Sequence, residues 1–153
     1  MPVGRTVFAI LLLAMATGQG ASWPEFIAAV RSYSIGGEVG AQLTAISLLV
    51  GELAAGTGLL LPWPRLRMLA GWIGLPVAAI WAGLAVQALG RGLQIENCGC
   101  FGRFFAQRLN WWILVQDVYF VGLGLLALRS ARRDSRTGVE LDSTGLGKSG
   151  RSA

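Results

Sequence analysis

Four long apolar runs organise this chain, over residues 3–18, 41–61, 68–89 and 111–128. Glu52 alone interrupts the second, the third carries no charge, and Asp117 interrupts the fourth. At about 1.5 Å rise per residue, ~20 residues cross a hydrocarbon core of roughly 30 Å. The second and third runs exceed that length, the fourth is adequate and the first is marginal. The pattern predicts an all-α integral membrane protein built as a four-helix bundle. The first run has a second reading. "MPVGR" looks like a charged leader and "AMATGQGAS" offers small residues for cleavage, the arrangement of a signal peptide. Cleavage would leave three spans.

The polar stretches differ from one another. In "SWPEFIAAVRSY", Ser22 is placed to cap a helix start, with Glu25 as capping-box partner. Phe26, Ile27, Val30 and Tyr33 then fall near one face, which predicts a short interfacial helix after the first span. "LPWPRLR" predicts a tight turn between the second and third spans. "QIENCGCFGRFF" forms a loop between spans three and four and holds both cysteines of the chain, Cys98 and Cys100. From residue 130 the chain turns to Ser, Gly, Arg and acidic residues. This predicts a transmembrane domain over 1–129 and a disordered polar tail over 130–153.

Within the spans, small residues recur at helical spacing. Gly74, Ala78 and Ala82 share a face of the third helix; Gly51 with Ala55, and Ala54 with Gly58, do so on the second. Small residues at this spacing let helix backbones approach closely in lipid.

Composition supports the membrane reading. Apolar residues make up 54% and charged residues 14%, against about 25% charged in soluble domains. The net charge of +5 clusters beside the spans, notably at Arg129, Arg132, Arg133 and Arg136. No basic face is interleaved with exposed aromatics, so a nucleic-acid partner is not expected. The chain has no histidine, which excludes His-dependent triads and most zinc enzymes. With four spans, Arg5, Arg65, Arg67, Arg129, Arg132, Arg133 and Arg136 share one side, and Arg31, Arg91, Arg103 and Arg108 the other. The bias places both termini in the cytoplasm and the cysteine loop outside.

Disulfides persist on that outer side. Residues two apart can reach the roughly 4.4–6.8 Å Cα separation of a disulfide, and Gly99 eases the turn. So small a ring stabilises little and is strained, which suits exchange better than stapling. Arg91 and Arg103 are candidates to favour the thiolate. Two alternatives stay open: a reduced pair that only fills space, and a thiolate clip for a soft ion such as Cu(I). Glu52 and Asp117 are ionisable residues inside spans, which usually face the bundle interior. We expect a polar pocket below the cysteine loop, drawing on Gln42, Gln87, Gln116, Arg91 and Asp117. In it Arg91 would pair with Asp117, and Glu52 would hold a proton deeper down. The bland alternative is that both acids only hydrogen-bond helices together. Trp111 and Trp112, with Phe104 and Phe105, fit an aromatic interface belt; a quinone headgroup can also stack among such rings.

In order, "WPEFIAAVRSY", "GELAAGTGLLLP", "ALGRGLQIENCGCFG" and "LVQDVYF" resemble the methylamine-utilisation MauE proteins, in the wider DoxX-like group of four-helix membrane proteins. The resemblance runs over roughly residues 5–130, and "CGCFG" after a helix-ending Arg-Gly is its most specific part. It implies that the first segment is kept as a helix. It also implies a role beside a thioredoxin-like partner in forming disulfides of the methylamine dehydrogenase small subunit. The bundle with a cysteine loop is similar in plan to vitamin K epoxide reductase relatives, which pass electrons to quinone. The reading that follows is an exchangeable Cys98–Cys100 pair, with Gly99 and Gly102 permitting the loop and Arg91, Glu52 and Asp117 in support. No cofactor is fixed by the sequence; quinone is the candidate. The rivals are a non-catalytic scaffold or transport accessory and a Cu(I)-handling protein.

Overall fold

The computed structural model of the chain describes residues 2–101 and 107–146, with side chains over 3–101 and 107–133. Among the described residues five helices follow one another: α1 (Pro2–Ala21), α2 (Trp23–Ser32), α3 (Gly37–Leu60), α4 (Pro64–Gly90) and α5 (Trp111–Leu146). There is no strand among the described residues. Among the described residues, four stretches are long and apolar enough to cross a membrane: Val3–Ala21, Gly37–Leu60, Pro64–Gly90 and Trp111–Arg133. The helix pairs α1/α3, α3/α4, α4/α5 and α5/α1 pack together, so the four close into a ring. Large apolar side chains such as Leu43, Val50, Trp72, Val86 and Val118 point outward. A bundle in lipid has no reason to hide them.

The interior is filled from all four sides. Phe8 of α1 meets Phe120 of α5 with ring centroids 4.9 Å apart. Leu12, Leu48, Leu59 and Trp81 are buried around them. α1 therefore contributes to the core.

The small-residue faces account for the α3/α4 seam in part. A Cβ added at Gly51 would lie 2.7 Å from Val77 Cγ2, and one at Gly58 would lie 2.7 Å from the Ala70 Cβ. Gly74 faces both Phe8 and Ala55. Ala54, however, is exposed, so its pairing with Gly58 does not form a packed face. The seam between α1 and α3 rests on Gly56 instead, against Leu13 and the Ala9 carbonyl.

Two local expectations change. Ser22 makes no side-chain cap for α2. Its hydroxyl donates back to the Gly18 carbonyl at 2.7 Å, closing α1. α1 and α2 are almost continuous, so that carbonyl competes directly for the hydroxyl. The second change is at the chain's far end. α5 runs on to Leu146, where composition predicts a disordered tail from residue 130. Extending a formed helix adds one bond per residue without a new nucleus. Residues 147–153 lie outside the described residues.

Candidate functional site

The cysteine loop begins where α4 ends. Gly92, at φ +65°, donates to the Leu89 carbonyl at 3.0 Å, and Leu93 donates to the Ala88 carbonyl at 2.9 Å. This is a Schellman stop, and the left-handed position is the one glycine fills without strain. The loop then doubles back. Leu109 N–H donates to the Ile95 carbonyl at 2.9 Å, and Cys98 N–H donates to the Gln107 carbonyl at 3.0 Å. Asn110 starts α5, its Oδ1 accepting from the Trp112 and Ile113 amides.

At the tip, Asn97 Oδ1 accepts from the Gly99 amide at 3.0 Å. Gly99 has φ +83°, and an added Cβ would lie 3.0 Å from the Ala29 Cβ of α2. Both the turn and the close packing against α2 thus require glycine. The turn brings the two free thiols together, with Sγ atoms 3.3 Å apart. Cys98 is 2% exposed and Cys100 is half-buried. The hydrogen bond from the Cys100 thiol draws Cys98 below the usual cysteine range, although burial opposes it. Cys100 is pushed well above that range, first by holding its proton in the same bond and then by burial.

Both cysteine carbonyls are clamped by buried side chains from other helices. Tyr33, at the end of α2, donates its hydroxyl to the Cys98 carbonyl at 2.9 Å. Burial holds that phenol protonated, pushing its pKa up. Gln19, near the end of α1, donates to the Cys100 carbonyl at 3.1 Å. The same amide nitrogen donates to Glu52 Oε1 at 3.1 Å. Trp81 Nε1 of α4 donates to that oxygen at 2.7 Å. Gly18 gives the loop room: a Cβ there would lie 2.5 Å from the Phe101 carbonyl oxygen. The loop is therefore seated in the mouth of the bundle, bonded to α1 and α2 and, through Gln19, to α3 and α4.

Beside it lies a cavity of about 360 Å³ between α1 and α5. Cys100 and Asp117 line it together with Leu11, Met15, Trp81 and Phe120.

A family model described as methylamine utilisation protein MauE matches residues 1–130. The chain belongs to the MauE family. With its four span-length helices, this MauE protein is a multi-pass integral membrane protein associated with methylamine utilisation. No curated protein and no solved structure matches the chain.

The site residues expected from sequence meet different fates in this MauE protein. Cys98, Gly99 and Cys100 form one turn, and Asp117 lines the adjoining cavity. Glu52 is buried two hydrogen bonds away from the Cys100 carbonyl, through Gln19. Arg91 does not join them. It sits exposed at the C-cap of α4 and makes no ion pair with the buried Asp117. An arginine at the helix end keeps its charge in water at lower cost than one drawn into the bundle. The cause that lowers Cys98 is accordingly the neighbouring thiol rather than Arg91. Gly102, Arg103, Phe104 and Phe105 lie outside the described residues. The expected polar pocket is largely apolar. Gln116 lines the cavity, but Gln42 bonds Glu38 and Gln87 bonds the Tyr33 carbonyl. Trp111 and Trp112 are exposed at the start of α5, as a belt requires. Sequence reasoning missed Gln19 and Trp81. The signal for them was Glu52 itself, since a buried carboxyl needs donors on the facing helices.

Proposed function

We propose that this MauE protein carries out thiol–disulfide exchange through Cys98 and Cys100. The observation that supports this most is the pair itself: two free thiols 3.3 Å apart on a glycine turn, with both carbonyls fixed from the bundle. A chain that needed only apolar filling there has no use for such anchoring. The reaction is a two-electron exchange. A partner dithiol attacks the Cys98–Cys100 disulfide through a mixed disulfide, leaves as a disulfide, and returns Cys98 and Cys100 as thiols. The partner is a thioredoxin-like extracytoplasmic protein, and the client whose disulfides form is an amine dehydrogenase of the methylamine pathway, its small subunit in particular. Both termini are cytoplasmic and the loop faces outward, as the arginine distribution favours. The supporting roles fall to Glu52 through Gln19, and to Asp117.

The test is a redox titration of the purified protein in lipid nanodiscs, read by a thiol-alkylating mass tag. A reversible change of two thiols per chain is expected, together with exchange against a thioredoxin-like domain. No reversible change would sink the exchange reading. Full support of amine dehydrogenase maturation by Cys98→Ser/Cys100→Ser would make the protein a scaffold, and copper co-purifying only with the wild type would make it a Cu(I) handler.

A further inference from the structure

An exchange site needs somewhere to send its electrons. If the Cys98–Cys100 disulfide oxidises a partner dithiol, the resulting thiols must be reoxidised before the next turnover. The thioredoxin-like partner cannot be that oxidant, because it is the donor. The structure offers a second approach to the thiols, through the cavity between α1 and α5.

Its position and lining are specific. At the loop end it reaches Cys100, and it runs inward along α1 to Leu11 and along α5 to Phe120. From Trp112 to Phe120 the helix rises roughly 12 Å. Its volume of about 360 Å³ lies within the usual range for small-molecule sites, roughly 300–1,000 Å³. Its inner wall on α5 is Ile113, Asp117 and Phe120, all buried. Its outer wall is Trp112, Val115 and Tyr119, which are 64%, 57% and 64% exposed on the outward face of α5. The cavity therefore opens sideways, towards lipid. Asp117 supplies the independent sign of a ligand. It is 8% exposed, it is the one acid lining a largely apolar cavity that also includes Gln107 and Gln116, and among the described residues its carboxyl has no hydrogen-bond or ion-pair partner. A buried polar group without a partner is costly unless something else fills that role.

We propose that this cavity binds a lipid-soluble quinone, which takes the electron pair from the Cys98–Cys100 dithiol. The inference rests on the exchange reading and names its electron acceptor. A two-electron, two-proton carrier dissolved in the hydrocarbon enters from the side, a route closed to a protein or a water-soluble oxidant. The step balances: the two thiols lose two electrons and two protons, one S–S bond forms, and the quinone becomes a quinol. Asp117 is the group placed to pass a proton to a quinone oxygen. The aromatic rings of Trp112, Tyr119 and Phe120 offer faces for the headgroup.

The experiment uses the full chain, reduced, in phosphatidylcholine nanodiscs free of quinone, with decylubiquinone as the probe. Loss of two taggable thiols is expected, with one quinol formed per disulfide. Val115→Trp at the mouth and Leu11→Trp in the wall should each slow this oxidation tenfold or more. Val118→Trp, on the outward face of α5 but off the cavity, should not. Because Val115 is exposed, its variant does not burden the core. Exchange with oxidised glutathione, measured without quinone, separates the two readings. If glutathione disulfide oxidises the pair but decylubiquinone does not, or does so equally well in Val115→Trp and Leu11→Trp, the quinone site is overturned and exchange stands. If neither oxidises the pair, both fall.

Discussion

Gln19 and Cys100 are 81 positions apart in the chain, yet the side-chain amide of one donates to the carbonyl of the other at 3.1 Å. The same amide nitrogen also reaches Glu52. The first helix thereby holds the cysteine loop and the carboxyl of α3 in one hydrogen-bonded unit. Removing a partner from a buried pair costs about 1–3 kcal/mol, and each 1.4 kcal/mol is about tenfold in an equilibrium. Gln19→Leu should therefore raise the alkylation rate of the reduced thiols about tenfold or more by loosening the loop. Rates equal to wild type would show that the bond does not hold it.

Tyr33 clamps the other cysteine in the same way, through its hydroxyl on the Cys98 carbonyl. Tyr33→Phe keeps the buried ring and deletes only that bond. We expect a loss of about 1–3 kcal/mol and faster alkylation of Cys98 in particular. Combining it with Gln19→Leu should give less than the sum of the two effects, because both release one loop. Strict additivity in thermal unfolding and tagging would mean the clamps are independent.

Glu52 separates a structural role from a proton-carrying one. Its Oε1 accepts from Gln19 and Trp81, and an amide oxygen can accept the same two bonds. Glu52→Gln should therefore unfold near the wild-type temperature, whereas Glu52→Leu leaves two buried donors without an acceptor and should unfold well below it. A Glu52→Gln protein that is stable but slow in thiol oxidation would assign the carboxyl a proton-transfer role.

The spans, their number and the place of the cysteine loop were legible because long apolar runs and an Arg-Gly stop are local signals. Arg91 and Gln19 show where that legibility ends. Both are polar residues close to a span's end, and sequence alone made the arginine the partner of a buried acid. The charged residue stays at the surface because its charge is cheaper to keep there. The neutral amide goes inside because it carries no charge to desolvate and its nitrogen finds two acceptors there, Glu52 Oε1 and the Cys100 carbonyl. Which of them faces the loop depends on how α1 and α4 are rotated within the bundle, and no one-dimensional pattern records that. Gly56 was passed over for the same reason. It lacks a side chain where Leu13 arrives, and the helix pairing is what reveals the contact.

Glycine at two positions is needed for the loop to seat. At Gly18 a Cβ would lie 2.5 Å from the Phe101 carbonyl oxygen, a backbone atom that cannot swing away. At Gly99 the φ of +83° is itself unfavourable for a side chain, and Ala29 stands 3.0 Å off. Gly18→Ala and Gly99→Ala should both lower thermal stability and expose the thiols. Gly83→Ala, where an added Cβ meets nothing, should be neutral or slightly stabilising, because alanine favours helix over glycine by about 1 kcal/mol. Equal melting temperatures for all three would contradict the seating of the loop against α1 and α2.

The two thiols should titrate far apart. A hydrogen bond from Cys100 favours the Cys98 thiolate, so its pKa falls below the usual value of about 8.5. Cys100 must then lose its proton beside that thiolate and in a buried setting, so its pKa rises. As pH increases, reduced protein should show one thiolate, by ultraviolet absorbance, appearing below the ordinary range and a second only well above it. Between the two, the pair carries one negative charge shared across the 3.3 Å contact. Cys100→Ala removes the stabilising donor and leaves burial, which acts in the opposite direction, so the remaining Cys98 step should move up. Cys98→Ala removes the neighbouring thiolate, so the Cys100 step should move down from its high position while burial still holds it above ordinary. Two superimposed steps near the usual cysteine value would show that the thiols do not interact, and the turn at Gly99 would then have no chemical consequence.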